Sequence, residues 1–439
     1  MKVIRTKRLS SPRRPLELSG NRLAFFCLFG FIATLGHQVP LVALPTNWAA
    51  WPNLSDLFGF ALVFIVFCSR KNRPNPLSCK VGKFMLLMLI FHIFNFTLVT
   101  ITFNSTIVGL KYGGFSIFLM AKYLVIYMAV IRIEIDEQRL LALYTAAMLA
   151  FLWLTLTLLC ERFGLLELNS FVVHLPHSSA GKWSPGINST AARSHGETSA
   201  TILVLSAVAI GASQHRFSRI TFMLVVGIGV PAVFLSGSRQ GLVRMITFLL
   251  AIYLKESKKG LVALSALSLT LLVGLSIFGS MFSTRHDSTD YYVKRQNVLV
   301  EDPLTNEGLS GRPNIWRTFF QSLIKHPERF FIGYGIGNFA EVSSNDAHNM
   351  FLKFIQDGGI VQLIFFSYCW MQIFKLLWSR RTQVWSNVAM SIAMLTSVMT
   401  STIFYPSLAS GWFLGAYFVA IHLFFSYDDF RMNQTMRVH

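Results

Sequence analysis

Charge is scarce in this sequence. Only 13% of its 439 residues are Asp, Glu, Lys or Arg, about half the share of ordinary soluble domains. Acids are rarer than bases, 20 against 39. Cysteine is rare as well. Its five positions (27, 68, 79, 160 and 369) fall in or beside apolar runs and form no CxxC pair, which excludes a disulfide framework and a zinc site. The chain has no repeat of fixed period, no low-complexity segment and no Pro-rich linker. It also has no DxD or other carboxylate cluster suited to a divalent ion. Disordered, collagen-like and disulfide-stapled classes are thereby excluded, and neither a metal nor a cofactor is expected.

Apolar surface is what the chain has in quantity: 53% of residues are hydrophobic and 40 are Phe. A spanning helix needs about 20 mainly apolar residues. Twelve runs approach that length: 23–43, 49–68, 84–103, 115–132, 140–160, 200–213, 220–235, 241–254, 261–281, 350–377, 384–402 and 410–426. The runs at 200–213, 220–235 and 241–254 are short, so they borrow flanking residues or re-enter. The expected fold is all-α, a polytopic transmembrane helical bundle of about 12 spans. Residues 1–22 are basic, but the run behind them is long enough to span and has no small-residue cleavage site, so no cleavable signal peptide is expected.

Lys and Arg in short loops set the orientation. Residues 1–22, loop 69–83, Arg132 and Arg139, Arg216 and Arg219, residues 255–259, residues 375–381 and the C-terminal tail place 24 of the 39 basic residues on one face. The short loops opposite hold Lys111 and Arg239. Both termini are therefore expected in the cytoplasm. The net charge of +19 reads as a topology signal and an attraction to anionic membrane lipid, not as a nucleic-acid surface. The expected organisation is a basic cytoplasmic tail (1–22), nine spans (23–281) with an external loop at 161–199, an external loop or cap (282–349), three spans (350–426) and a cytoplasmic tail (427–439).

The segment 282–349 is too long for an idle connection and nearly neutral. Within it, RPNIWRTFFQSLI spaces Ile315, Phe319 and Leu323, with Trp316 and Phe320, as an amphipathic helix over 312–325. Pro313 fits its first turn. A small helical cap is expected there.

Charged groups at membrane depth are costly and usually mark function. Arg239 lies in LSGSRQGLV, where Gly237 and Ser238 permit a sharp turn, and Arg244 follows one turn deeper and off its face. Arg312 opens the cap helix, with Arg317 beside it, and His348-Asn349 opens the tenth span. Span parity brings Arg239, Arg312 and His348 to one face of the membrane. Arg presents a fork that fits phosphate oxygens, and His exchanges a proton near neutrality. Such a set suits displacement of a lipid diphosphate from a sugar, with Arg stabilising the charge on the leaving group.

Each residue also has an ordinary reading. An Arg at a helix end commonly snorkels to headgroups. Arg312 fits the surface of a solvated cap, and His348-Asn349 fits a helix-opening pair with one of the two capping. Lys353 and Asp357 stand at i, i+4 and pair with each other. Lys122 in the fourth span either pairs with a bundle carboxylate or reaches a polar cavity. GYGIGNF (Gly333, Gly335, Gly337) lacks the strand and the Lys-Ser/Thr of a phosphate loop and reads as a tight turn.

The succession LSGSRQG, SGRPNIWRTFFQSLIKHPERFFIGYGIGNF and AHNMFLKFIQDGGI resembles the bacterial O-antigen ligase and O-antigen polymerase superfamily. The shared pattern is small-small-Arg, then a helix with Arg-x-x-x-Trp ending in Pro and Gly-x-Gly, then His-Asn opening the next span. The detailed likeness covers 235–360. It implies a GT-C-like glycosyltransferase of the bacterial inner membrane, multi-pass and active on the periplasmic face, which uses a glycan carried on undecaprenyl diphosphate. By position, Arg239 and Arg312 would hold the diphosphate. His348 would activate the acceptor hydroxyl or assist the leaving group. Arg244, Arg317 and Asn349 would assist in binding.

The acceptor stays open. A ligase joins the glycan to lipid A–core in lipopolysaccharide biosynthesis; a polymerase joins it to a second lipid-linked glycan, as in O-antigen or exopolysaccharide assembly. The ligase-like pattern after His-Asn is matched through Gly359, but Gln362 replaces a small residue or Tyr. In the loop 161–199, Lys182, Arg193 and His195 are candidates for glycan or core-phosphate contact, and Trp183 for stacking on a sugar. Other polysaccharide-assembly proteins are conceivable partners. A transporter or flippase of lipid-linked glycan is the more remote alternative; such proteins usually carry repeats and midplane charges. A scaffolding role is the third.

Overall fold

The computed structural model describes residues 15–35, 53–68, 80–103, 107–133, 135–162, 165, 199, 201–207, 223–236, 239–256, 312–335 and 349–379. Among these residues the chain is helical, with no strand. In chain order the helices are α1 (Pro15–Ala33), α2 (Leu54–Cys68), α3 (Lys80–Phe103), α4 (Ile107–Val130), α5 (Glu137–Arg162), α6 (Val230–Leu235), α7 (Arg239–Glu256), α8 (Arg312–Lys325), α9 (Arg329–Ile332) and α10 (Met350–Ser379). The expected spans at 261–281, 384–402 and 410–426 lie outside the described residues.

Two stretches are long and apolar enough to cross a membrane among the described residues: Gly82–Ile101 in α3, of mean hydropathy 2.2, and Gln138–Cys160 in α5, of mean hydropathy 1.9. Shorter apolar helices cover Asn21–Ala33, Leu54–Cys68, Ile117–Val130 and Val225–Leu235. Helix edges depart from the sequence reading in two places. α1 starts at Pro15 and not near 23, since Pro suits a first turn. α4 starts at Ile107, so Lys111 belongs to a helix and not to a connecting loop.

α1, α2, α4 and α5 share a core around Phe31, Tyr123, Tyr127 and Phe151, all fully buried. α1 meets α2 at Gly30, where a Cβ would stand 2.5 Å from the Phe58 ring. α2 runs parallel to α4. Asp56 meets Lys122, a Cβ on Gly59 would stand 2.8 Å from Ile126, and Arg132 lies 4.3 Å over the Phe67 ring. The Lys122 ammonium and the Asp56 carboxylate are 2.7 Å apart and almost fully buried, so Lys122 pairs with a bundle carboxylate. Asn53 braces the start of α2: its Oδ1 accepts from Ser55 Oγ at 2.6 Å and from the Asp56 backbone N–H at 3.0 Å.

Ahead of α6 the backbone widens into a π turn, Val225–Gly229. Pro231 explains it. Proline has no N–H to give to the carbonyl four residues back, and its ring crowds that carbonyl. Gly229 at the end of this turn packs closely, with a Cβ placed 3.0 Å from Met245 of α7 and 3.2 Å from Phe151 of α5.

Candidate functional site

α3, the α8–α9 hairpin and the first part of α10 meet at one junction. α8 covers Arg312–Lys325, the range that its amphipathic spacing predicts. Its inward face buries Phe319 against Tyr334, with Leu323, Leu352 and Ile355 packed around them. The Ser322 hydroxyl and the Tyr334 hydroxyl are 2.5 Å apart. Arg329 stacks 5.2 Å over the Tyr334 ring and donates to the Gly333 carbonyl at 3.3 Å. Burial lowers the Arg329 pKa from its ordinary value, against opposing contributions from Tyr334 and Glu328. Burial also raises the Tyr334 pKa, against opposing contributions from the Ser322 hydrogen bond and Arg329, so its hydroxyl stays protonated.

The described part of the Gly-rich run, 333–335, forms a tight turn, as its sequence suggests; Gly337 lies outside the described residues. Gly333 and Gly335 have φ of +74° and +84°, a region open to Gly at little cost. A Cβ on Gly333 would also come within 2.6 Å of the backbone at Asp357 and Gly358. The turn therefore lies directly on α10.

α10 is broken where it meets this turn. Gly358 and Gly359 leave helical geometry, Gly359 with φ +69° and ψ −170°. The amides four residues beyond Gln356 and Asp357 lie past the break. Their carbonyls accept instead from the hairpin: Tyr334 N–H reaches Gln356 O at 2.7 Å, and Gly335 N–H reaches Asp357 O at 3.0 Å. The backbone groups freed by the break are thus satisfied by the hairpin. A Cβ on Gly359 would strike the Phe331 carbonyl oxygen.

α3 supplies the third wall. The Asn95 amide donates to the Ile332 carbonyl at 3.1 Å. One turn earlier, His92 Nδ1 lies 2.7 Å from the Met88 carbonyl, and His92 Nε2 lies 3.5 Å from Gln362 Nε2 of α10. A carbonyl only accepts, so in the neutral ring Nδ1 carries the proton and Nε2 faces the Gln362 amide donor. The Gln362 side chain fills the space over Gly358 where a Cβ would otherwise sit. The Gln that departs from the ligase-like pattern is therefore part of this polar contact. The sequence reading passed over His92 and Asn95, although two polar residues at i, i+3 inside an apolar helix were the available signal.

The candidate residues stand in these elements. Arg239 is the first residue of α7, and Arg312 the first of α8. Both stand at helix N-termini, where backbone amides and the helix dipole favour an anion. Arg244 is on α7, about 7.5 Å further along the helix axis than Arg239. It is 0% exposed and engaged by interactions inside the protein. Arg317 is exposed on α8. Asn349 caps α10: its Oδ1 accepts from the backbone N–H of Phe351 at 2.9 Å and of Leu352 at 3.2 Å, so that oxygen is committed to the helix start. Lys353 and Asp357 form the i, i+4 pair, at 2.9 Å, near the break. His348, Lys182, Arg193 and His195 lie outside the described residues. No metal-binding group of His, Cys, Asp and Glu occurs among the described residues.

Residues 222–367 match the family described as O-antigen ligase. The matched stretch takes in α6 to α9, residues 350–367 of α10 and the positions Arg239, Arg312, His348 and Asn349. No curated protein matches the chain.

Proposed function

We propose, for a chain whose residues 222–367 match the family described as O-antigen ligase, that it is an inner-membrane glycosyltransferase that takes glycan from undecaprenyl diphosphate on the periplasmic face. The observation that carries this reading is the arrangement inside the matched segment. One Arg opens α7, a second opens α8, and Asn349, which follows His348 in the sequence, caps the start of α10. The fold that goes with it is a bundle of about twelve spans with both termini in the cytoplasm and the α8–α9 hairpin on the outer side.

In the proposed reaction the oxygen of an acceptor hydroxyl attacks the anomeric carbon of the glycan. The bond from that carbon to the diphosphate oxygen breaks, and undecaprenyl diphosphate leaves. Arg239 and Arg312, helped by the helix N-termini they occupy, hold the diphosphate and offset the charge that grows on it. His348 takes the hydroxyl proton or assists the leaving group. The reading involves no metal. Arg317 adds positive charge near Arg312, while Arg244 supports α7 from within. Lys182, Arg193 and His195 would meet the glycan or a core phosphate.

The acceptor we favour is lipid A–core, the ligase reaction. The polymerase reading has one specific residue behind it: Gln362 stands where the ligase-like pattern carries a small residue or Tyr. Surface glycan from a deletion strain tests both. Long lipid-linked chains accumulating unattached identify a ligase, and single unpolymerised repeats identify a polymerase. An unchanged glycan profile refutes the transferase reading.

A further inference from the structure

The α8–α9 hairpin buries one side against α10 and leaves another apolar side uncovered. On α8, Phe320 and Ile324 share a face at i, i+4 and are 50% and 80% exposed; on α9, Phe331 is 60% exposed and Phe330 is also exposed. A solvated cap has no reason to present three Phe and an Ile together, and exposed apolar patches of this kind mark interaction sites.

Depth identifies the partner. Ile332, next to Phe331, is held by Asn95, which lies well inside the membrane-length stretch Gly82–Ile101 of α3. The Phe331 carbonyl abuts Gly359, where the apolar part of α10 begins. Residues close to these two contacts in the sequence are apolar and open: Phe94, next to Asn95 on α3, is 62% exposed, and Val361, two residues past Gly359 on α10, is 51% exposed. Exposed apolar residues therefore flank the hairpin's contacts on both α3 and α10. Arg317 stands one turn before Phe320, and Lys325 directly follows Ile324, both exposed. Basic residues edging a Phe-rich helix face are what a helix lying in a bilayer interface needs.

We infer that the α8–α9 hairpin is docked in the bilayer, with Phe320, Ile324, Phe330 and Phe331 against lipid acyl chains and Arg317 and Lys325 at headgroup level. The leaflet is the one at the end of α3 opposite Lys80 and Lys83. This requires only that the chain spans a bilayer, not that it transfers a glycan.

The test uses the full-length protein with its five native cysteines replaced, reconstituted into phosphatidylethanolamine–phosphatidylglycerol vesicles. Nitroxide labels are placed singly at Phe331→Cys, Ile324→Cys and Phe320→Cys, with Phe94→Cys and Val361→Cys as lipid-facing references and Gln321→Cys as the polar-face reference. Power saturation compares collisions with oxygen, which partitions into lipid, and with a water-soluble nickel chelate. At 324 and 331 oxygen collisions are expected to dominate, as at 94 and 361, while the chelate dominates at 321. Chelate dominance at 324 and 331 would place the face in water and overturn the inference. Protection from both agents would overturn it equally, because protein and not lipid would then cover the face. Label 320 decides the matter if labelling at 331 disturbs the fold.

Discussion

Asn95 of α3 donates its side-chain amide to the backbone carbonyl of Ile332 at the end of α9, across 3.1 Å. That bond joins an apolar helix to a hairpin 237 residues later in the chain. Its loss leaves a backbone acceptor without this partner in a poorly hydrated place, which costs about 1–3 kcal/mol. Asn95→Leu is therefore expected to lower the thermal unfolding midpoint in detergent and to make the hairpin more sensitive to protease. An unchanged midpoint together with an unchanged digestion pattern would show that the bond contributes nothing.

The two glycines of the α10 break are expected to behave differently. Gly359→Ala meets both a positive φ and the Phe331 carbonyl, and a side chain in such a conformation costs about 1–3 kcal/mol before any clash. The protein should accumulate poorly in membranes. Gly358 has a negative φ of −141°, and its obstacle is the side chain of Gln362. Gln362→Ala would leave the Gln362 Cβ, itself 2.8 Å from the new methyl, so adding Gln362→Gly should restore much of Gly358→Ala but not Gly359→Ala. Equal rescue of both, read by immunoblot of membrane fractions, would contradict this account.

Lys122 and Asp56 provide a sharper contrast between single and double variants. Removing one partner leaves a buried charge and costs about 3–5 kcal/mol. Lys122→Met alone should destabilise the α2–α4 contact by that order. Lys122→Met with Asp56→Leu should recover most of the loss, since a packed apolar pair serves as well. Thermal unfolding of the three purified proteins checks it, and strictly additive losses would exclude the pair as a coupled unit.

For the proposed transferase activity, Arg239→Ala and Arg312→Ala are each expected to lower turnover about 10²–10³-fold, the usual effect of removing one group that stabilises transition-state charge. Arg239→Lys should recover little, because an ammonium does not reproduce the guanidinium fork. Polysaccharide assembly in a complemented deletion strain, with membrane levels of each variant measured alongside, is the readout. Full assembly by both Ala variants would remove the basis for the reaction.

Asn349→Ala loses the cap of α10 and should cost about 1 kcal/mol. Asn349→Asp or Asn349→Ser should restore stability, as good N-caps do. If Asn349→Ser restores stability but not glycan assembly, Asn349 has a role beyond capping.

Local features were the most legible in the sequence. The amphipathic spacing of Phe319 and Leu323 gave α8 its limits, the i, i+4 pair Lys353–Asp357 formed as spacing predicts, and Gly333 and Gly335 took the turn geometry that glycine allows. The relations between distant helices were not legible. Nothing local to Lys122 names Asp56 as its partner, because the choice is made by the parallel packing of α2 and α4. Nothing local to Asn95 or His92 points to Ile332 or Gln362, because those partners come from the segments packed against α3. Periodicity reports which face of a helix is apolar, whereas a single polar group in that face has meaning only through the chain segment opposite.

The way the hairpin is tied down limits how this region can change in length. Tyr334 is fixed on one side by Ser322 and on the other by Gln356, so the stretch from Lys325 to Gly335 can neither gain nor lose a residue without breaking register at one end. Insertions and deletions among relatives should then accumulate before Arg312 or between 336 and 348, and be rare between 322 and 335. Under the proposed activity, adaptation to a different glycan or acceptor would fall in those two stretches while the turn against α10 keeps a constant number of residues.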